Sequence, residues 1–307
     1  MNSDSDIQTV AISGAGGLVG SALSDLLQQD EKSVVAISRS DGGSYQDTIR
    51  WDPYSGLTNP GRLESVDAIV HLAGESIASG RWNERLKQKI RSSRIEGTRN
   101  LVQSIAAVEN RPKVLVCASA IGYYGDRGDR ELEESAAAGE GFLADVCQQW
   151  EAEAQKATEL GLRVVNLRIA MVLSPEGGAL QKMLLPFKLG MGGVVGSGKQ
   201  YWSWIGLHDL VRIIQFCLMK ENVAGPVNAS SPQPVTNYEF TKTLGTVLHR
   251  PTVLPVPAPL ARLGLGEMAD ALLLPSTRVV PAKLKQTGFE FHHADLHDAL
   301  AYELNRK

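Results

Sequence analysis

The chain of 307 residues is 43% hydrophobic and 21% charged, with a formal net charge of −3. This composition is typical of a globular protein with a large core, and the near balance of charge argues against binding to nucleic acid or to an anionic membrane. No apolar stretch approaches the ~20 residues of a membrane span. The acidic N-terminal segment also lacks the hydrophobic run of a secretory signal. These features predict a cytoplasmic protein.

The cysteines and histidines are not spaced like metal ligands. Cys117, Cys147 and Cys217 lie in apolar or helical contexts, which favours buried, reduced thiols. The histidine cluster at 292–297 lacks companion ligands and is interpreted as the solvated start of a helix. We therefore expect no metal.

Apolar runs alternate with helical patterns through the first half of the chain. The predicted strands cover residues 7–12, 33–38, 68–72, 114–118 and 164–169, and the predicted helices cover residues 18–29, 83–108 and 142–160. The strands are rich in Val and Ile and do not alternate cleanly, as expected when helices cover both faces of a parallel sheet. The pattern predicts right-handed βαβ units and an α/β fold with a doubly wound parallel sheet.

A glycine turn separates the first predicted strand from the first predicted helix. Gly14 would allow a tight turn, Gly17 would let the backbone approach a pyrophosphate, and Gly20 would let the helix pack closely on the strand. A helix that begins near Gly17 directs its N–H groups and positive dipole end at phosphate. The spacing G-x-x-G-x-x-G differs from the usual G-x-G-x-x-G, but its position between strand and helix predicts a dinucleotide site.

The end of the second predicted strand bears on the choice of dinucleotide. Proteins selective for NAD usually carry Asp or Glu there, to hold the ribose 2′-hydroxyl. This chain has Arg39 and Ser40, and an arginine with a small hydroxyl suits a 2′-phosphate. NADP(H) is therefore favoured. NAD(H) stays open as the alternative, because a shift of two residues in the strand end would place Asp41 at this position.

After about residue 175 the sequence changes character. A glycine-rich stretch at 190–198 precedes a C-terminal third that is punctuated by prolines. We interpret residues 1–175 as a Rossmann-type nucleotide-binding domain, to which segments near 200–230 return. Residues 176–307 are interpreted mainly as a smaller lobe on the substrate side, including a C-terminal domain at 252–300.

Several segments are individually weak signatures but are specific together. They include GAGGLVG (14–20), HLAGESI (71–77), RWNERLKQKIRSSRIEGT (81–98), SAIGYYG (119–125), LRIAMVL (167–173) and SGKQYWSWIGLHDL (197–210). On these segments the chain resembles the extended short-chain dehydrogenase/reductase superfamily over nearly its whole length. It looks closest to an atypical branch described as NAD-dependent epimerase/dehydratase-like, whose members end in a small domain of unknown function.

The resemblance extends the predicted cofactor site beyond the glycine turn. It implies a loop, Leu72 to Gly74, under the adenosine side of the cofactor, and contacts from Glu75 and Arg94. Arg94 could instead be a solvent-exposed base on its helix. Residues 168–170 would close the nicotinamide end. The complete set of predicted cofactor contacts is Gly14, Gly17, Leu18, Val19, Gly20, Arg39, Ser40, Leu72, Ala73, Gly74, Glu75, Arg94, Ser119, Arg168, Ile169 and Ala170.

The chain departs from the chemistry of that superfamily. Its redox and epimerase members use a Ser or Thr after the fifth strand and a Tyr-x-x-x-Lys on the next helix, where the ammonium lowers the pKa of the tyrosine so that it can exchange a proton. Ser119 fits the first position. Alignment through Trp150 places Leu143 and Cys147 at the other two, and residues 130–160 contain no tyrosine. The usual dyad is therefore predicted to be absent.

Two other strings imitate known motifs. Tyr238-x-x-x-Lys242 has the spacing of the dyad but lies in the C-terminal lobe, so we interpret it as coincidence. The stretch from Gly193 to Lys199 resembles a phosphate-binding loop, but Gln200 stands where a Ser or Thr must reach magnesium. Neither is expected to be functional.

If the protein catalyses a reaction, another group must supply the proton. Tyr123 is the first candidate, because it follows Ser119 by four residues, and Tyr124 and Tyr201 are alternatives. Trp202 and Trp204 could form the apolar wall of a substrate cleft or pack within the second lobe. The pair His208-Asp209 is interpreted as structural.

The sequence leaves two functions open. One is an NADP(H)-dependent oxidoreductase or epimerase-like enzyme that acts on a small molecule of unknown identity. The other is a non-catalytic NADP(H)-binding sensor or scaffold, which the missing dyad favours. By analogy with the superfamily, helices such as 83–108 and 142–160 could form a homodimer.

Overall fold

A computed structural model describes residues 7–40, 45 and 47–305. Asp41, on which the NAD(H) alternative depends, lies outside the described residues. The strands within the described part are β1 (Thr9–Ser13), β2 (Ser33–Ser38), β3 (Thr48–Asp52), β4 (Gly56–Leu57), β5 (Ala68–His71), β6 (Val114–Ala120), β7 (Glu131–Leu132), β8 (Arg163–Ile169), β9 (Met171–Leu173), β10 (Tyr201–Trp202), β11 (Trp204–Gly206), β12 (Gly225–Ala229), β13 (Val235–Thr236) and β14 (Arg278–Val279). The α-helices are α1 (Leu18–Gln29), α2 (Glu84–Ala106), α3 (Phe142–Gln155), α4 (Gly178–Lys188), α5 (Leu207–Met219), α6 (Asn237–Val247), α7 (Ala258–Leu265), α8 (Glu267–Leu272), α9 (Ala282–Gln286) and α10 (Leu296–Asn305).

Eight of these strands form one sheet in the order β12-β8-β6-β5-β1-β2-β3-β4. β1 pairs in parallel with both β2 and β5, and the pairs β2–β3 and β5–β6 are also parallel. The chain thus runs outward from β1 in one direction and then returns to build the other half of the sheet. This is the doubly wound α/β order predicted from the sequence, and the prediction is confirmed.

Local sequence signals account for most of the helix and strand ends. β2 and α1 have the predicted bounds. α2 begins one residue later than predicted because Asn83 is its N-cap, and the side-chain oxygen accepts from the Leu86 N–H at 2.9 Å. The predicted helix at 142–160 changes to a 3₁₀ helix after Gln155 and ends at Gly161, which has φ +88°.

The interior of the sheet is apolar on both faces. Val10, Ala11 and Ile12 of β1 are fully buried, as expected for a central parallel strand. On α1, Leu23 and Leu27 are also fully buried, and their spacing of four residues places them on one helical face. Continuous apolar strands and an amphipathic helix therefore produce the layers that the pattern predicts.

The chain divides into two compact units. The first comprises Met1–Ser119, Val146–Arg168 and Val211–Val227, and the second comprises Ala120–Asp145, Ile169–Leu210 and Asn228–Lys307. The predicted division near residue 175 stays a prediction. Among the described residues, no helix is both long and apolar enough to cross a membrane.

The second unit has its own hydrophobic core. Trp202, Trp204 and Phe240 lie in it with leucines of α4, α6 and α10, and the rings of Trp202 and Phe240 are 5.3 Å apart. Trp204 is fully buried, and its indole N–H donates to the Gln233 carbonyl. Trp204 is therefore a core residue, and the suggestion that it lines a cleft is wrong.

Within the first unit, Arg163 ties β8 to the end of α5. Its guanidinium donates to the carbonyl oxygens of Cys217 and Leu218 at 2.7 Å, and to that of Val223 at 2.8 Å. The last carbonyls of a helix lack partners within the helix, so this side chain acts as a C-terminal cap from a neighbouring strand.

We expect Arg163→Met to lower the free energy of unfolding by about 2–3 kcal/mol, because it leaves three carbonyls without their donor. Urea unfolding measures the change. Arg111→Met is the matched control, since among the described residues that exposed guanidinium donates only to the Ala106 carbonyl, and it should cost less than about 0.5 kcal/mol. Equal losses in the two variants would contradict the capping role.

Candidate functional site

The strand order changes direction between β1 and β5, and this is where open α/β sheets bind ligands. A cavity of about 670 Å³ lies at the carboxyl ends of these strands, within the first unit. Eight of the predicted cofactor contacts line it: Gly14, Gly17, Arg39, Ser40, Leu72, Ala73, Gly74 and Glu75. Its volume falls in the range of small-molecule and cofactor sites.

The glycine turn follows β1. Gly14 has φ +75°, and a Cβ there would lie 3.1 Å from the backbone nitrogen of Ala73. Gly17 is the N-cap of α1 and has no side chain to occupy the N–H groups of the first turn. A Cβ on Gly20 would lie 2.2 Å from the Gly14 oxygen. Gly20 therefore allows α1 to pack on the turn itself, rather than on the strand as predicted.

The glycine turn and the first turn of α1 leave room and backbone donors for a pyrophosphate. Side chains at the three glycine positions would fill or distort the space where the turn meets the helix. Leu18 and Val19 begin α1, so their backbone N–H groups belong to the uncapped first turn. Such a turn presents donors and a positive dipole end to an anion.

Arg39 and Ser40 lie at the rim of the cavity, directly after β2. The Ser40 N–H donates to the Ser38 hydroxyl at 3.3 Å. Arg39 is exposed, and its guanidinium has no hydrogen bond or ion pair with any residue that the structure describes. Arg39 is therefore a cation that is available to a ligand.

A buried histidine holds the loop that follows β5. Ser13 and His71 are paired in register on β1 and β5, and the Ser13 Oγ lies 2.6 Å from His71 Nδ1. The same oxygen accepts the N–H groups of Leu72 and Ala73 at 3.1 and 3.2 Å. Donation of the Ser13 proton to Nδ1 would complete the hydrogen bonding of this hydroxyl.

In that arrangement the proton of the neutral His71 ring lies on Nε2, which is 3.1 Å from the Thr98 hydroxyl. Burial lowers the pKa of His71 from 6.5 to about 4, so the ring is neutral at physiological pH. A neutral hydrogen-bonded network thus fixes the backbone of the Leu72 to Glu75 loop. Sequence reasoning missed His71, although it immediately precedes that loop.

Two residues of α2 hold the same loop from the other side. The Glu75 N–H donates to the Ser93 hydroxyl at 3.0 Å, and Arg94 donates to the Glu75 carbonyl at 2.9 Å. The Arg94 guanidinium carbon would lie 3.2 Å from a Cβ on Gly74. Burial lowers the pKa of the Arg94 guanidinium. Arg94 is not an exposed base, and it is absent from the residues that line the cavity. It supports the loop.

Ser119 does not line the cavity either. Its hydroxyl donates to Glu151 Oε1 at 2.7 Å, and Arg168 binds both carboxylate oxygens of Glu151 at 2.9 Å. The side chains of Glu151 and Arg168 are 12% and 3% exposed, so the ion pair is largely buried. The single proton of Ser119 is therefore already donated within the protein, a partnership that sequence reasoning missed.

In the second unit, the tyrosine turn (Ile121–Tyr124) contains two of the predicted proton donors, Tyr123 and Tyr124. Tyr124 is fully buried, and its hydroxyl lies 2.7 Å from Asn228 Oδ1, so it is unsuited to donate a proton to a substrate. Tyr123 is partly exposed and lies edge-on to the Tyr124 ring. The Leu143 Cβ would be 3.2 Å from a Cβ on Gly122, so this leucine packs directly on the turn.

The remaining candidates have structural partners. Ile169 ends β8, and the Ala170 N–H donates to the Ala229 carbonyl. Tyr201 lies under the Arg278 guanidinium, 4.8 Å away. The buried carboxylate of Asp209 accepts the backbone N–H groups of residues 292 and 293, which agrees with the predicted structural role.

The two imitation motifs are explained by local structure. Lys242 donates to the Thr252 carbonyl at 2.9 Å, and Tyr238 is 54% exposed on α6, which begins with a capping box at Thr236. The stretch from Gly193 to Lys199 is followed by the short strand β10 rather than by a helix, so it is not a phosphate-binding loop.

His297 lies exposed in the first turn of α10, which agrees with the predicted helix start. Asp295 precedes α10, and its side chain accepts the N–H groups of His297 and Asp298. It therefore caps the first turn of the helix. All three cysteines are buried and form no disulfide among the described residues, and burial raises the pKa of the Cys117 thiol.

Comparison with known proteins agrees with this architecture. The model of the NAD dependent epimerase/dehydratase family matches residues 10–230, and that of a domain of unknown function (DUF1731) matches residues 256–303. The chain is 43% identical to the epimerase family protein Mb2239 of Mycobacterium bovis, over 97% of this chain and 98% of the relative. The chain therefore belongs to the NAD dependent epimerase/dehydratase family.

Two solved structures are similar over almost the whole chain. Human epimerase family protein SDR39U1 (isoform 2), crystallised with NADPH, has a TM-score of 0.87 and 32% identity, covering 97% of this chain and 100% of that one. A nucleoside-diphosphate sugar epimerase from Corynebacterium glutamicum has a TM-score of 0.80 and 34% identity, covering 97% of this chain and 58% of that one. The predicted membership of an epimerase-like branch with a small C-terminal domain is confirmed.

The buried histidine generates a pH prediction. The pKa of His71 is about 4 in the folded chain and near 6.5 when unfolded, so the unfolded chain takes up a proton first as the pH falls. His71 should therefore contribute a loss of up to about 3 kcal/mol in the free energy of unfolding between pH 6.5 and pH 4. Above pH 6.5 it should contribute no pH dependence.

Urea unfolding of the wild type and of His71→Gln, measured at several pH values, checks this. The difference between their unfolding free energies should change through that window, while the exposed His297→Gln control should follow the wild type. Parallel pH profiles for the wild type and His71→Gln would show that the network does not depend on a neutral imidazole.

Proposed function

We propose that this protein binds NADP(H) in the cavity at the carboxyl ends of β1 and β5. The observation that carries the proposal is that one cavity is bordered by the glycine turn, by the exposed cation Arg39 and by the Leu72 to Glu75 loop. The turn would hold the pyrophosphate through backbone N–H groups, and Arg39 would bind the 2′-phosphate. The similarity to a human protein crystallised with NADPH supports this choice of cofactor.

We further propose an oxidoreductase or epimerase-like reaction on a small molecule. Bound NADP(H) would supply a hydride donor or acceptor. Tyr123 would donate or accept the proton, because it is partly exposed whereas Tyr124 is fully buried. Ser119 would act through its oxygen as an acceptor, since its own proton goes to Glu151. A substrate group that meets Ser119 must then carry a hydrogen-bond donor.

A non-catalytic NADP(H)-binding sensor is the second candidate. The observation that favours it is the same hydrogen bond from Ser119 to Glu151, because it occupies the hydroxyl that orients substrate in catalytic members of the superfamily. In this case the cofactor would bind and be released unchanged. The two functions share the binding site and differ in turnover.

For binding, we expect Arg39→Gln to weaken NADPH about tenfold while it leaves NADH nearly unchanged, because the guanidinium would meet only the 2′-phosphate. Titration calorimetry with both dinucleotides measures this. Arg111→Gln, an exposed cation outside the cavity-lining residues, is the control. Wild-type protein that bound neither dinucleotide would rule out the proposed function.

To test turnover, the wild type is incubated with NADPH and a panel of carbonyl compounds, or with NADP⁺ and nucleotide sugars. It should oxidise NADPH as it reduces a carbonyl compound, or convert a nucleotide sugar. Tyr123→Phe should then lower kcat by about 10²–10⁴-fold with unchanged NADPH affinity. Tyr238→Phe, which removes the exposed tyrosine of the imitation motif, should have full activity. Binding of NADPH without turnover of any substrate would favour the sensor.

A further inference from the structure

Helix α2 contributes a lysine to the cavity that the sequence did not single out. Lys89 lines the same cavity as Arg39, together with its neighbour on the helix, Ser93. Nothing in the sequence distinguishes Lys89 from the other basic residues of α2, because the surface that each one faces depends on how the helix packs. The packing of α2 therefore decides what Lys89 can contact.

Two sets of contacts fix the orientation of α2. In the first half of the helix, Ser93 accepts the Glu75 N–H at 3.0 Å. Two turns of helix after Lys89, Gly97 packs on Trp51, whose ring carbon would be 3.5 Å from a Cβ on the glycine. Lys89 precedes Ser93 by four residues and so lies on the same helical face.

That face meets the part of the cavity near β2 and β3. Thr48, Trp51, Pro53 and Tyr54 line this part, and the Asn100 amide of α2 donates to the Pro53 carbonyl at 2.8 Å. The end of β2 is where the adenosine ribose lies in folds of this order. Lys89 therefore lies on the face of α2 whose Asn100 contacts the chain directly after β3, the neighbour of β2 in the sheet.

The charge around the cavity is unbalanced on this side. Lys89 is exposed and, like Arg39, has no hydrogen bond or ion pair with any residue that the structure describes. Among the described residues that line the cavity, Glu75 is the one carboxylate. Two exposed cations among the described residues that line the cavity favour an anionic ligand group over a neutral hydroxyl.

We infer that Lys89 is a second cation for the 2′-phosphate of NADP(H) and, with Arg39, determines the preference for NADP(H) over NAD(H). The inference rests on the proposed cofactor function and adds a specificity residue to it. The glycine turn offers backbone donors to the pyrophosphate, whereas the 2′-phosphate would be bound by side chains.

The test compares four variants of the full-length chain by titration calorimetry with NADPH and NADH at two salt concentrations. They are Lys89→Gln, Lys89→Arg, Arg39→Gln and the control Lys87→Gln, which removes a cation of α2 that does not line the cavity. We expect Lys89→Gln to weaken NADPH about 5- to 10-fold and NADH less than twofold. Lys89→Arg should keep most of the NADPH affinity, and Lys87→Gln should keep all of it.

Lys89→Gln should also reduce the salt dependence of NADPH binding, since one phosphate contact is lost. Equal weakening of NADPH and NADH would overturn the inference, because it would assign Lys89 to a group that both dinucleotides share. Unchanged binding of NADPH by Lys89→Gln would overturn it as well, while the loss in Arg39→Gln would leave the proposed function standing. If the wild type bound neither dinucleotide, the proposed function and this inference would fail together.

Discussion

The close approach of two backbone segments at the centre of the sheet is the constraint on which the site depends. The turn after β1 and the loop after β5 are so near that a Cβ on Gly14 would lie 3.1 Å from the Ala73 nitrogen. The parallel register places Ser13 opposite His71, and from there the Ser13 hydroxyl reaches the loop N–H groups. The Ser13 hydroxyl therefore joins the end of β1 to the loop after β5 in one hydrogen-bonded network, beside the cavity. Burial keeps the His71 imidazole of this network neutral.

Basic side chains have two distinct functions around this hydrogen-bonded network. Arg94 and Arg168 are directed inward, where they bind a backbone carbonyl and a carboxylate. Buried guanidinium groups need such partners, since an unpaired buried charge is costly. Arg39 and Lys89 remain exposed at the rim, where a cation can stay solvated until a ligand arrives. The inward arginines thus stabilise the site, and the exposed cations give it an attraction for anions.

Residues that the family resemblance assigned to proton transfer have structural partners in this chain. Ser119, Glu151 and Arg168 form a closed network, and Leu143 packs on Gly122 of the tyrosine turn. A leucine at this position offers packing but no proton, and a serine that donates to a carboxylate offers only its oxygen. None of these residues is among those that line the cavity.

Features that depend on neighbours in the sequence could be predicted from the sequence alone. The bounds of β2 and α1 follow from periodicity and a glycine at the helix start, and Gly14 was required by a turn with positive φ. The exposed Arg39 directly follows its strand. Such signals are local, because steric limits and residue spacing act over a few positions.

Tertiary structure alone decided the partners of side chains that are distant in sequence. Ser13 and His71 are separated by 58 residues and Ser119 and Glu151 by 32, so neither hydrogen bond has a local signature. The face of α2 that meets the loop determines that Arg94 supports backbone and that Lys89 reaches the cavity. The sequence determined the glycine turn and the sheet that presents it. The packing of α2, and the register of β1 on β5, determined which side chains complete the site.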